Sequence, residues 1–193
     1  MRTTYTSDSG ADPGPLTTMV VRDLDQVDGA FGEAFAGESP DGVHINLVVG
    51  RRGGPTAAAA AAALMAPSPG HVPFLACLHL GAAVRPPTVV VNKTTIEGDK
   101  LGRLTWGAAQ LGIAQAVLDA VADRAIDHSV ADDLVLLVGV WLDADAADET
   151  AVRIAARGCM RQAIDRAIDS DRPTLDELAA ERENAHNGFY SGR

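Results

Sequence analysis

Residues 43–50, V-H-I-N-L-V-V-G, decide the fold class. Val43, Ile45 and Leu47 alternate with His44 and Asn46 before the run closes on Gly50, the period of a strand with one face on a core. On that pleat His44 and Asn46 share the other face. Upstream, a short strand is expected around Ala30 to Ala36. Downstream, R-R-G-G-P makes a turn, and Pro55 opens a helix over 56–66 whose seven consecutive alanines permit close approach of a sheet or another subunit. We expect that helix to be sandwiched within the subunit. The P-S-P-G stretch at 67–70 breaks it. V-P-F-L-A-C-L-H-L at 72–80 then reads as a strand, and the β-branched run P-T-V-V-V-N-K-T-T-I at 87–96 as another, with Lys93 and Thr95 on one face.

From Thr105 to about Ile126 the positions Leu111, Ala114, Leu118, Val121 and Ala125 recur at helical spacing, with Gln115, Asp119 and Asp123 opposite. Gln110 falls within the apolar stripe, so its amide is expected to face the core or a cleft. Residues 134–142, L-V-L-L-V-G-V-W-L, form an aliphatic strand. The acids of D-A-D-A-A-D suit the start of a helix over about 147–168, and a shorter helix runs from Thr174 to about Glu183. The order β-β-α-β-β-α-β-α-α predicts an α+β two-layer domain, a mixed β-sheet covered by helices. Residues 1–26, rich in Thr, Ser, Asp, Gly and Pro, read as a flexible N-terminal tail, 27–170 as the domain, and 171–193 as a C-terminal helix and tail.

Composition narrows the function. The 193 residues carry 26 acidic against 16 basic side chains, a net charge of −10 that would repel nucleic acid or an anionic bilayer. The longest apolar runs, near 57–66 and 134–142, reach about half of the roughly 20 residues that a bilayer-spanning helix needs. Two cysteines, Cys77 and Cys159, provide neither a disulfide framework nor metal-ligand spacing, so a cytoplasmic protein without a metal is expected. Only two lysines, Lys93 and Lys100, occur, and we read Lys100 as a solvated loop residue. His71 and His79 read as loop and strand-end residues, His128 and His186 as solvated ones.

Phosphate-loop, dinucleotide, nucleophile-elbow and zinc-protease motifs are absent from the sequence. What remains is a set of polar side chains planted in apolar elements: His44 and Asn46 on one strand, Lys93 and Thr95 on another, and Gln110 early in the long helix. Histidine's ordinary pKa suits proton transfer near neutrality. A lysine in a cleft binds anionic or carbonyl groups, or forms a Schiff base with an aldehyde.

G-E-A-F-A-G at 32–37, V-H-I-N-L-V-V-G-R-R-G-G-P at 43–55, G-H-V-P-F-L at 70–75, P-P-T-V-V-V-N-K-T-T-I at 86–96, G-A-A-Q at 107–110 and D-D-L-V-L-L-V-G-V-W-L at 132–142 resemble the formaldehyde-activating enzyme family. The resemblance implies a hydro-lyase that condenses formaldehyde with tetrahydromethanopterin to the methylene derivative and water, in formaldehyde detoxification or one-carbon metabolism. It implies no covalently bound cofactor and a homopentamer with active sites between subunits. It also implies that His44 is the proton donor and that Asn46, Leu75, Lys93, Thr95 and Gln110 contact the pterin. Strand pleat alone would leave Leu75 in the core. Where well-studied members carry Asp, this chain has Asn46, which keeps a hydrogen-bonding shape and gives up the charge. The alternatives are a homologue using tetrahydrofolate or another amine or aldehyde, and a non-catalytic pterin- or aldehyde-binding protein.

Overall fold

A computed structural model describes residues 27–169 and 172–184. The expected N-terminal tail, the last residues and His186 therefore lie outside the described residues. Five strands form one sheet in the order β1-β2-β7-β6-β3. They are β1 (Ala30–Ala36), β2 (Val43–Arg51), β3 (Phe74–Leu75), β6 (Thr88–Asn92) and β7 (Leu134–Leu142). All neighbours are antiparallel except β6 and β7. That parallel pair requires a crossover, and a continuous helical segment supplies it: α2 (Gly98–Arg103), a π-helical stretch (Leu104–Ala109) and α3 (Gln110–Ala122). The segment starts well before the expected Thr105. A small hairpin of β4 (Cys77–His79) and β5 (Ala82–Ala83) stands beside the sheet. The expected strand at 72–80 is thus split at Ala76, whose N–H binds the Thr88 carbonyl at 2.9 Å.

The alternation of β2 works as the sequence predicts. Val43, Ile45, Leu47 and Val49 are buried on the helix side, where they meet Leu134, Leu136, Val138, Val140 and Leu142 of β7. Against this face packs α4 (Glu149–Ile168), capped by Asp148, whose carboxylate accepts the N–H groups of Thr150 and Ala151. The acidic run at 143–148 therefore starts the helix as expected. A Cβ on Gly32 would stand 1.9 Å from the Ala163 carbonyl oxygen, so only glycine lets β1 come this near α4. The final helix, α5 (Leu175–Glu181), opens on a capping box between Thr174 and Glu177.

Helix phase departs from expectation. The buried residues of α3 are Gly112, Ile113, Ala114, Ala116, Val117 and Ala120, while Leu111, Leu118 and Val121 are half-buried. Gln115, Asp119 and Asp123 do not oppose a solvent face. They meet Arg153, Arg157 and Arg161 of α4 in a ladder with equal four-residue steps, so the two helices run in the same direction. Alanine fills both stripes of α3, and hydrophobicity alone misplaces the buried one.

The other face of the sheet is open. The alanine helix α1 (Pro55–Leu64) covers one end of it, with Thr56 seated where a Cβ of Gly50 would be. Only Thr56 and Ala60 of α1, one turn apart, are buried, so the helix is not sandwiched: Ala57 and Ala63 are half-buried, and Ala58, Ala59, Ala61 and Ala62 face solvent. Beyond it Phe31, Phe35, Leu75 and Trp141 stand exposed on the same face.

Candidate functional site

Register builds the centre of this open face. In the β1–β2 hairpin Glu33 lies opposite Asn46 and Phe35 opposite His44; across β2 and β7, Asn46 lies opposite Gly139 and His44 opposite Trp141. Just past β6, Lys93 keeps the ladder by giving its N–H to the Val140 carbonyl at 2.7 Å, and its stem lies over Gly139. Four polar side chains then close a ring. His44 Nε2 meets Glu33 Oε1 at 2.7 Å, and Asn46 Nδ2 donates to the same oxygen at 2.9 Å. Lys93 Nζ donates to Asn46 Oδ1 at 2.6 Å and stands 2.8 Å from His44 Nδ1.

The ring fixes each member's role. Lysine has only donors and glutamate only acceptors, so the Asn46 carbonyl faces Lys93 and its NH₂ faces Glu33. The same logic puts the His44 proton on Nε2, donating to Glu33, and leaves Nδ1 to accept from Lys93. The Asn46 amide, aided by His44, holds the Glu33 carboxyl below the usual carboxylate range. Lys93 is pushed below the usual amine value by the partial burial of its ammonium against the sheet, which the charge of Glu33 only partly opposes. Glu33 is the member that residue patterns missed. The signal was present: a hairpin with its turn at 37–42 makes each paired sum constant, and that arithmetic sets Glu33 across from Asn46.

The remaining expected site residues are distributed differently. Leu75 does not enter the core; it pairs with Val89 on the open face while its neighbour Phe74 packs inward. Thr95 lies beyond the end of β6, where strand alternation no longer applies, and it joins His71 instead of the ring. His71 is a fixed residue: its Nδ1 donates to the Asn92 carbonyl at 2.9 Å, so Nε2 accepts from Thr95 Oγ1 at 3.2 Å. Buried Asn92 ties this corner together through Gly70, Val72 and Thr94. Gln110 is half-buried in the first turn of α3, within the helical layer on the opposite side of the sheet from the ring. Lys100 is on α2 rather than in a loop, its ammonium 3.4 Å from the Ala144 carbonyl.

An arrangement of a carboxylate, an imidazole, an amide and an ammonium on a glycine floor can bind a small polar carbonyl and move a proton. Among the described residues no group of three His, Cys, Asp or Glu converges on a metal position, and no helix is long and apolar enough to cross a membrane.

The model of the protein family described as formaldehyde-activating enzyme (Fae) matches residues 31–190. The chain is 39% identical over 158 residues to a 5,6,7,8-tetrahydromethanopterin hydro-lyase of Methanosarcina barkeri, an alignment covering 82% of this chain and 88% of that relative. It is 34% identical over 153 residues to a bifunctional enzyme Fae/Hps of Methanosphaera stadtmanae and 34% over 154 residues to one of Methanothrix thermoacetophila. These alignments cover 79% and 80% of this chain but only 37% and 39% of the two larger proteins.

Proposed function

The chain belongs to the formaldehyde-activating enzyme family, and on that premise we propose that it is a hydro-lyase joining formaldehyde to tetrahydromethanopterin with release of water. The observation that carries the reading is the Glu33–His44–Lys93–Asn46 ring on the open sheet face. Formaldehyde adds to a secondary amine to give a carbinolamine, whose hydroxyl must leave as water before the second amine closes the ring onto the iminium carbon. The step needs a proton at the hydroxyl and stabilisation of a nearby cation. The ring offers His44 and Lys93 for the first and the Glu33 carboxylate for the second. Holding both nitrogens and the aldehyde in register supplies further acceleration.

In this reading His44 is the proton donor, and Asn46, Leu75, Lys93, Thr95 and Gln110 contact the pterin, without a metal or a covalently bound cofactor. Gln110 belongs to the layer behind the sheet, so a site that uses it takes it from a neighbouring subunit. That requirement, with Phe31, Phe35 and Trp141 exposed around the ring, supports a homo-oligomer, which we assign as a pentamer with sites between subunits. A cytoplasmic location and a role in formaldehyde detoxification or one-carbon metabolism complete the proposal.

The test mixes purified protein with formaldehyde and either tetrahydromethanopterin or tetrahydrofolate and follows methylene-product formation against the uncatalysed rate. Acceleration with tetrahydromethanopterin is expected. No acceleration with either acceptor, with pterin binding intact, would make the protein a binder instead.

A further inference from the structure

We propose that Lys93 is a further proton-transfer residue of the site: the proton held by the His44–Lys93 pair reaches the departing hydroxyl through Lys93 Nζ and returns to the pair through the same atom on ring closure. The inference rests on the hydro-lyase reading above and specifies which atom of the site meets the substrate.

Both nitrogens of His44 are occupied. Nε2 is 2.7 Å from Glu33 Oε1, and Nδ1 is 2.8 Å from Lys93 Nζ. To touch a carbinolamine directly, the imidazole would have to give up one of these contacts. Lys93 would not. Its ammonium has three N–H groups, and two of them are spent on His44 Nδ1 and Asn46 Oδ1. The third is left on the open side of the sheet, since Gly139 lies beneath the stem and Lys93 is exposed. The charged and titratable groups around it are Glu33 from β1, His44 from β2 and, behind the sheet, Cys159 from α4, with the neutral Asn46 between Glu33 and the ammonium. Partial burial weakens the Lys93 amine as a base and so makes its ammonium a readier acid.

The proton count closes. The carbinolamine N–CH₂–OH takes a proton from Lys93 Nζ, the C–O bond breaks, and water and an N=CH₂ cation form. Lys93 is left as a neutral amine that still donates to Asn46 Oδ1 and keeps its place beside His44. The second amine attacks the iminium carbon, its N–H proton passes to Lys93, and the ammonium is restored. No net proton is consumed. Before the first step and after the second, the Lys93–His44 pair holds one extra proton, as ammonium with neutral imidazole or as amine with imidazolium, and Glu33 stabilises the second form through Nε2–H; between the steps both groups are neutral.

Lys93→Arg separates this role from mere binding. The guanidinium keeps the positive charge and the donors but holds its proton throughout the accessible pH range. KM for the pterin should stay within about threefold while kcat falls by about 10²-fold or more, the usual size of a lost acid–base group. A kcat within about threefold of the parent would overturn the role of Lys93 and leave the lyase reading standing; an inactive parent would overturn both. Because arginine is longer and planar, a second variant is needed. In a Cys77→Ala background, Lys93→Cys is treated with 2-bromoethylamine to give an amine of the same length and lower basicity; Cys159, buried with its thiol pushed up to about 12, does not compete. The treated protein should regain activity, with the lysine-dependent limb of the kcat profile moved to lower pH. Restored activity with an unmoved profile would also refute the proposal.

Discussion

Lys93 Nζ stands 2.8 Å from His44 Nδ1 although β2 and β6 never pair, because the strand between them presents Gly139 at the crossing point. A Cβ at 139 would lie 3.5 Å from Lys93 Cδ and 3.7 Å from Cγ, an ordinary contact. Gly139→Ala should therefore be tolerated. Gly139→Leu fills the space the stem occupies and lifts the ammonium off the ring. Misplacing a reacting group by about 1 Å can cost about 10²-fold, so we expect a kcat loss of that order with thermal unfolding little changed. Equal kcat in the Ala and Leu variants would show that the stem does not need this floor.

Gly32 makes the complementary stability prediction. Its missing Cβ would meet the Ala163 carbonyl oxygen at 1.9 Å and the Ala167 backbone nitrogen at 3.0 Å, and neither can swing away as a flexible side chain could. Gly32→Ala should destabilise the fold by about 1–3 kcal/mol or more, as overpacking does. A thermal midpoint lowered by less than about 2 °C, the shift that roughly 1 kcal/mol produces in a chain of this size, would contradict it.

The ladder between α3 and α4 sets an acid limb. Two bonds from the Arg157 guanidinium, at 2.6 and 2.7 Å, hold the Asp119 carboxyl below its ordinary value. A carboxyl depressed on folding adds stability above its unfolded value, and that stability drains away as pH falls through the depressed one. The pair is partly exposed, so Asp119→Asn should cost only about 0.5–1 kcal/mol near neutrality. The difference between variant and parent should vanish in strong acid. Urea unfolding at several pH values checks this, and a difference independent of pH would mean that the ion pair contributes nothing.

Much of this could be read from sequence, and the exceptions share a cause. Strands whose burial has period two declare their faces, so β2, β7 and the shared side of His44 and Asn46 follow from the residues alone. Glu33 required the register of the hairpin, which no single segment carries. Leu75 faces outward because its neighbours Phe74 and Ala76 take the inward positions, and in a run of consecutive apolar residues the sequence alone does not set which of them points to the core. In the long helix, alanine on every side and the π turns at 104–109 erase the hydrophobic phase, so the face that pairs with Arg153, Arg157 and Arg161 read only as the side opposite the apolar stripe. Gln110 stands out in the sequence as a polar residue in an apolar stretch, but the residues alone do not show that it lies in the layer behind the sheet, away from the ring.

Asn46 gives a charge prediction. Its Oδ1 already accepts from Lys93 at 2.6 Å, and Asn46→Asp keeps that acceptor while removing the donor to Glu33. Two carboxylates then share one ammonium, which favours the protonated form of Lys93. We expect the limb of the kcat profile governed by this cation to move to higher pH by about one unit or more, the usual effect of an added opposite charge in contact. Activity above the parent's limb should rise accordingly. A profile that stays in place would mean that Asn46 is not coupled to the group carrying the proton.

Phe31 tests the subunit arrangement. It is 52% exposed on β1, an edge strand of the sheet, on the same face as the ring and one register step from Glu33. A monomer would leave it in water beside Phe35 and Trp141, an arrangement that association relieves. Phe31→Asp places a charge in that seam without touching the ring's hydrogen bonds. Light scattering should then report a smaller species at micromolar concentration. Activity should fall with it and recover as protein concentration rises, because in the proposed arrangement each site takes Gln110 from its neighbour. Full activity in a monomeric Phe31→Asp protein would mean that one chain forms the whole site, and the shared cleft would have to be abandoned.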